Sequence, residues 1–295
     1  MRGESVSSSV SGGVPGGVAA VVFDWAGTVV DFGSLAPMNT FRQLFEANGV
    51  PISVDEARAP MGLPKRDHIA AIGRGSRVAQ AWRDANRGCE FTPSDVDALY
   101  EQYVPMNRAA VLRHAQLVPG VAPLLEHLRG RDIRIGSTTG YAREVLAPLV
   151  KVAARQGFAP DNIVCADDVD LGRPAPLAMY RTFLDLRVWP AWCVVKVDDT
   201  APGLGEGSSA GCWTVAVTDS GNEVGLSQDA WEALPALEQR RLRARAADRL
   251  SGAAPDYVID SVAGLPPVIA DIDRRLAAGE RPGRSSRSAI GAQAA

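Results

Sequence analysis

The sequence predicts an α/β fold, a doubly wound parallel sheet carrying an inserted all-helical cap domain, and three observations predict it. Apolar runs such as Val21-Val22-Phe23 and Cys193 to Val197 lack the polar alternation of a half-exposed strand, as strands buried on both faces do. From about Val118 onward such runs alternate with amphipathic helical stretches, the pattern of βα units. Between the first strand and that alternation lie residues 34–113, where only helical periodicity occurs.

Taken in order, residues up to about Gly17 are Gly, Ser and Val with no core-forming pattern and read as a flexible tail. Val21 to Phe23 end a buried strand, and Gly27 breaks it. Pro37 starts a helix whose Met38, Phe41, Leu44 and Phe45 share a face, and Asn48-Gly49 stops it. Pro60, Gly62 and Pro64 then mark a turn-rich loop, after which Asp67 to Ile72 begin another helix. Val78, Ala81 and Trp82 form one helical stripe, and Leu99, Tyr100, Tyr103 and Val104 another. Such an insertion over a sheet rim reads as a cap.

The alternation resumes with a helix through Val121, Leu124, Leu125 and Leu128, then the strand Ile133 to Gly136, a helix from Ala142 to Gln156 and the strand Asn162 to Cys165. A helix from Leu177 to Leu186 precedes the strand ending in Asp198-Asp199-Thr200, and Trp213 to Val217 form the next strand. Glu232 to Leu250 read as one exposed helix, Tyr257 to Ile259 as a last strand and Pro267 to Ala277 as a last helix. The expected organisation is a tail over 1–17, an α/β core from 18–33 and 114–280, a helical cap over 34–113 and a tail over 281–295.

Composition narrows the function. At 295 residues the chain can bury a sizeable core. A formal charge of −3 gives no basic footprint, so nucleic acid is not expected as a partner. No apolar run reaches the roughly 18 residues of a membrane span, and no charged-then-apolar leader is present, so a cytoplasmic protein without a membrane partner is expected. Cys89, Cys165, Cys193 and Cys212 have no metal-ligand or disulfide spacing and read as buried thiols. Of 31 Lys plus Arg, only Lys65, Lys151 and Lys196 are lysines. A chain that uses arginine nearly everywhere has reason to need a primary amine where it keeps lysine, since a guanidinium stays protonated.

Ligands bind at the carboxyl ends of strands in open α/β sheets, and there the reactive groups collect. The first strand delivers Asp24, the second Ser137-Thr138-Thr139-Gly140, the third leads to Arg173, and the fourth delivers Asp198-Asp199. A carboxylate nucleophile, a hydroxyl and N–H cradle, a cation and further carboxylates for Mg²⁺ make a phosphoryl-transfer site. Singly, each has a plainer reading: Asp24 as a helix cap, Ser-Thr-Thr-Gly as a turn, Arg173 as a surface ion pair.

The segments DWAGT at Asp24, STTG, GRP at Arg173 and DDT at Asp199 resemble the four motifs of the haloacid dehalogenase superfamily of phosphotransferases. FDWAGTVVDFG, PMGLPKRDH, GSTTGY, GRPAP, KVDDT and GCWTV resemble, more closely, the phosphonoacetaldehyde hydrolase (phosphonatase) family, from about Val21 to Ala277. That resemblance implies cleavage of the carbon–phosphorus bond of phosphonoacetaldehyde to acetaldehyde and phosphate, in degradation of 2-aminoethylphosphonate, with Mg²⁺ and as a homodimer. Phosphate-ester hydrolases of the superfamily usually carry an acid two residues after the nucleophile; Ala26 stands there here. A carbon leaving group needs an electron sink instead, and an imine on Lys65 would supply it. The resemblance further assigns Asp24, the Ala26 carbonyl and Asp199 to the metal, Thr139, Gly140 and Arg173 to the phosphoryl group, and Met61 and Tyr141 to the substrate's surroundings. It makes His68 a proton relay, although a histidine at a helix start reads equally as structural. His114 and His127 read as structural.

Gly203 departs from the pattern, because many superfamily members carry an acid four residues after the metal aspartate; Asp198 is the candidate replacement. The competing readings are another hydrolase of the superfamily, whether phosphatase or dehalogenase, and a non-catalytic phosphate-binding relative. Asp198-Asp199 argues against a metal-free dehalogenase, Ala26 against a monoesterase, and Lys65 has no role in a mere binder.

Overall fold

The structure, a computed structural model, describes residues 16–283. The strand β1 (Ala20–Phe23) leads into helices α1 (Leu35–Ala47), α2 (Val54–Arg58), α3 (Lys65–Arg74), α4 (Ser76–Ala85) and α5 (Pro93–Arg113). Then follow α6 (Val121–Arg129), β2 (Arg134–Thr138), α7 (Arg143–Arg155), β3 (Asn162–Val164), α8 (Leu177–Leu186), β4 (Val194–Asp198), α9 (Ala201–Ala210) and β5 (Trp213–Val217). The chain closes with α10 (Gln228–Glu232), α11 (Ala236–Leu250), β6 (Tyr257–Ile259) and α12 (Leu265–Ala277).

All neighbouring strands pair in parallel in the order β3-β2-β1-β4-β5-β6. Residues alternate between the faces of a strand. Val21 and Phe23 of β1 therefore join Leu125, Leu149 and Ile269 of the helices on one face, while Ala20 and Val22 join Met179 and Ala210 on the other. The register places Phe23 opposite both Ser137 and Val197, so the residues that follow, Asp24, Thr138 and Asp198, leave the sheet at one level of its carboxyl rim. The sequence order becomes a single site through that register.

Helices α1 to α5 have an apolar cluster of their own, with Phe41, Leu44, Phe45, Ile69, Trp82 and Leu99 buried in it. Helix α5 belongs to both clusters: Val96, Leu99 and Tyr103 serve the helical one, Ala110 and Val111 the sheet's. Its start is fixed by a capping box in which Thr92 accepts from the Asp95 N–H and Asp95 accepts from the Thr92 N–H.

Three sequence expectations are revised. The helix expected over Glu232 to Leu250 starts at Ala236, as α11, because Pro235, which has no N–H to continue a ladder, separates it from α10; and it is not wholly exposed, since Ala246 and Leu250 are buried. Cys89 is exposed in the turn after α4, whereas Cys165, Cys193 and Cys212 are buried. Arg281, read as tail, stacks its guanidinium 3.8 Å over the Trp192 ring, and the Gly283 N–H donates to Asp256 Oδ1 at 3.1 Å. The rest of the two expected tails, 1–15 and 284–295, lies outside the described residues. No described helix is long and apolar enough to cross a membrane.

Candidate active site

Asp24 emerges from β1 with its N–H on the Val197 carbonyl, and the chain turns at once through Gly27. Gly27 has φ +86°, and a Cβ on it would lie 2.3 Å from Asp199 Oδ2. Only glycine lets this turn approach the fourth strand's carboxylate. Asp24, Asp198 and Asp199 come within 4.8 Å of one another through their carboxylate oxygens, all three buried.

The three carboxylates are not equivalent. Asp198 ion-pairs with Lys196 Nζ at 3.1 Å and Arg173 Nη1 at 3.5 Å, and its Oδ1 accepts from the Thr200 N–H and hydroxyl. Burial would raise its pKa, but these cations outweigh burial and hold the carboxyl below its usual range. Asp24 Oδ1 sits 2.8 Å from Arg173 Nη1, yet burial and the Asp198 charge bring it up to about 6. Among the described residues Asp199 accepts only from uncharged donors, the Thr28 hydroxyl at 3.0 Å and the Asn222 N–H at 2.8 Å. Burial, Asp24 and Asp198 push it well above the ordinary carboxylate value. Excess buried negative charge on Asp24 and Asp199 is the signature of a cation site, and an all-oxygen donor set suits a hard divalent ion.

Beneath these carboxylates lies a buried network. Lys196 Nζ reaches Asp198, Glu206 Oε2 at 3.3 Å and Thr138 Oγ1 at 2.7 Å. Arg173 Nη2 donates to the Thr138 carbonyl and hydroxyl, and its Nε lies 3.2 Å from Glu206. Arg173 is thus aimed at Asp24 from a fixed base.

Asp24, Ala26, Met61, Lys65, Thr139, Gly140, Tyr141 and Arg173 line one cleft, with Ser34, Pro37, Gly62 and Thr200; it encloses about 270 Å³ of empty space, solvent at its mouth included. Lys65 enters from the helical side as the first residue of α3, 8% exposed. Its ammonium group lies 5.0 Å from the Tyr141 ring centroid and 5.9 Å from that of Phe41. No carboxylate among the described residues lies within ion-pair distance of it. Burial, more than any neighbour, lowers it to about 8. The loop carrying it rests on the core: the Leu63 carbonyl lies where a Cβ on Gly140 would come within 2.8 Å. Tyr141 is fixed by its N–H on Thr139 Oγ1.

His68 does not line the cleft. It is fully buried, stacked on Phe41 at 3.8 Å, with Nε2 2.9 Å from the Ala57 carbonyl. A carbonyl can only accept, so Nε2 carries the proton, and Nδ1 is an acceptor with no protein partner. Burial and Lys65 depress it well below the usual histidine value, so the ring is neutral. His114 caps α5 and lies 3.5 Å from Asp31.

Sequence reasoning assigned no role to Lys196, Glu206, Arg58 or Asn222, and it placed Thr138 only within the Ser137–Gly140 cradle, not under Arg173 and Lys196. Lysine scarcity pointed at Lys196 as much as at Lys65; of the three, these two are buried and Lys151 on α7 is exposed. Glu206 carries no local signal, being a buried acid on the small-residue face of α9.

Comparisons with known proteins give the family. Residues 18–211 match the haloacid dehalogenase-like hydrolase family, which gives the class. The chain is 52% identical over 265 residues to a phosphonoacetaldehyde hydrolase of Paraburkholderia xenovorans, covering 90% of this chain and 99% of the relative. It is 47% identical over 267 residues to that of Aeromonas hydrophila, covering 90% of this chain and 95% of the relative. The crystal structure of a phosphonoacetaldehyde hydrolase-like protein from Oleispira antarctica superposes with a TM-score of 0.88 at 43% identity, covering 90% of this chain and 96% of the other. The chain belongs to the phosphonoacetaldehyde hydrolase family of haloacid dehalogenase-like hydrolases.

Proposed function

We propose that the protein hydrolyses the carbon–phosphorus bond of phosphonoacetaldehyde to acetaldehyde and phosphate, in degradation of 2-aminoethylphosphonate. The observation that carries this reading is Lys65: a buried amine brought to about 8, in the same cleft as Asp24, beside an alanine where an ester hydrolase keeps its acid. In this reading residues 34–113 are a cap domain over a core of 18–33 and 114–280, and the enzyme works in the cytoplasm as a homodimer, as the family resemblance implies.

Neutral Lys65 adds to the substrate aldehyde and, with loss of water, forms an imine. Asp24 attacks phosphorus in line while Arg173 and the Thr139-Gly140 turn hold the phosphoryl oxygens. The C–P electron pair moves into the protonated imine and gives an enamine, so no free carbanion forms. Water then hydrolyses the aspartyl phosphate. The enamine takes a proton on carbon, and hydrolysis of the resulting imine frees acetaldehyde and Lys65. His68 Nδ1 is the nitrogen open to a relayed proton, since Nε2 is committed to Ala57. Asp24, Asp199 and the Ala26 carbonyl would hold Mg²⁺, which supplies neutralisation of phosphoryl charge.

The test is acetaldehyde release from phosphonoacetaldehyde with Mg²⁺ by the wild type and by Lys65→Arg, which keeps charge and loses the amine. Turnover by the wild type and a fall of about three orders of magnitude or more in the variant are expected. An inert wild type that cleaves a phosphate monoester or a haloacid would overturn the substrate.

A further inference from the structure

Arg58, the last residue of α2, is an arginine buried to 9% exposure with no carboxylate partner among the described ion pairs. Its guanidinium is taken up by the core's backbone instead. Nη1 donates to the Gly33 carbonyl, the Asn222 carbonyl and Asn222 Oδ1, each at 3.0 Å, and Nη2 to the Gly225 carbonyl at 3.0 Å. Asn222 returns the contact, its Nδ2 lying 3.4 Å from the Arg58 carbonyl. That carbonyl also accepts from the Met61 N–H at 2.9 Å, which starts the tight loop running to Lys65. On its other side, the Asn222 N–H donates to Asp199 Oδ2 at 2.8 Å. One residue, Asn222, therefore touches both the arginine at the root of the lysine's loop and the carboxylate that lacks a charged partner.

The segment that Arg58 grips is itself held by the core. The Gly33 N–H donates to the Ser220 carbonyl, and the Ser220 hydroxyl to the Gly27 carbonyl, in the turn that brings Asp24 to Asp199. The segment 220–225 is thus clamped between Arg58 and the nucleophile's turn. An arginine can do this where a lysine cannot, because its planar fork presents several donors at fixed angles.

We propose that Arg58 is a positioning residue that couples the two halves of the site: by gripping Asn222 and Gly225 it aims the Asn222 N–H at Asp199 while anchoring the loop that carries Lys65. The inference rests on the reading that Asp199 holds a divalent cation and Lys65 forms an imine. Partners that orient a ligating carboxylate are typically worth about 10- to 100-fold in metal affinity. Loss of Arg58 should therefore reach a metal site that its own side chain does not touch.

Two readouts free of turnover test this in the full-length protein. Mg²⁺ affinity is measured calorimetrically without substrate, and imine formation by borohydride trapping of acetaldehyde on Lys65 in metal-free protein. Arg58→Met is expected to weaken Mg²⁺ about tenfold or more and to slow trapping, with far-ultraviolet circular dichroism unchanged. Asn222→Ala should weaken Mg²⁺ similarly, and the double variant no further than either, since both act on one chain of contacts. Lys65→Met should abolish trapping and leave Mg²⁺ affinity intact. A folded Arg58→Met, or Asn222→Ala should the arginine variant not fold, that binds Mg²⁺ like the wild type would overturn the coupling, as would strictly additive losses. A wild type that binds Mg²⁺ and traps acetaldehyde but spares phosphonoacetaldehyde would sink the proposed substrate and leave the coupling standing.

Discussion

The carboxylate of Asp198 fills the volume that a side chain at Gly203 would need: a Cβ on Gly203 would lie 1.9 Å from Asp198 Oδ2. The two positions are alternatives, because both residues are buried and Asp198 is tied to Lys196, Arg173 and Thr200.

This makes Gly203→Asp a disruptive substitution. Overpacking of this kind costs about 1–3 kcal/mol, and displaced Asp198 also leaves Lys196 short of charge. A clear drop in melting temperature is expected. The double variant Asp198→Gly, Gly203→Asp, which moves the carboxylate across the same volume, should recover most of the loss. Thermal melts of the two singles and the double decide it.

Lys65 sets a pH dependence. With its ammonium brought to about 8, the free amine that the proposed imine requires is lost as pH falls below that value. The expected kcat/KM declines about tenfold per pH unit on the acid side of pH 8, and a pH–rate profile with saturating Mg²⁺ shows it. The same shift acts on stability. Between pH 10.5 and about 8 the unfolded chain binds a proton on Lys65 that the folded chain does not, so stability falls as pH drops through that window, by roughly 3 kcal/mol. Lys65→Met should accordingly melt at a higher temperature than the wild type at pH 7.

Asp24 and Asp199 repel one another in the metal-free protein, each raised by burial and by neighbouring carboxylates. Adding Mg²⁺ should raise the melting temperature, and chelation should abolish turnover. Asp199→Asn should lose the Mg²⁺-dependent shift while remaining folded, as differential scanning calorimetry with and without metal would reveal.

Lys196 is expected to matter for folding more than for chemistry. Its removal leaves Arg173 as the one cation shared by the buried Asp198 and Glu206, and breaking a buried ion pair costs about 3–5 kcal/mol. Lys196→Met should therefore lower the denaturation midpoint strongly, measured by urea unfolding at neutral pH.

The parallel sheet and the rim site were legible because strand ends are written locally: apolar runs followed by Asp24, STTG or DDT. What stayed hidden depends on long-range pairing. Glu206 has no local signal in the sequence, and only the sheet places it under Thr138 and Arg173. Arg58 carries no local signal either, and only the fold brings it to Asn222, 164 positions away. The single helix expected over 232–250 failed at Pro235, a local signal that was present. Cys89 was misread because burial of a lone cysteine follows from what surrounds it, and here it sits in a turn.

The distribution of lysines has a practical consequence. Lys65 and Lys196 are enclosed, so Lys151 is the chain's one solvent-facing side-chain amine. It sits in the second half of α7, and helices of a parallel sheet run back from the carboxyl rim toward the opposite edge. Amine-reactive dyes, beads or sensor surfaces should therefore couple through that distal edge, besides the α-amine, and immobilise the protein with its cleft facing outward.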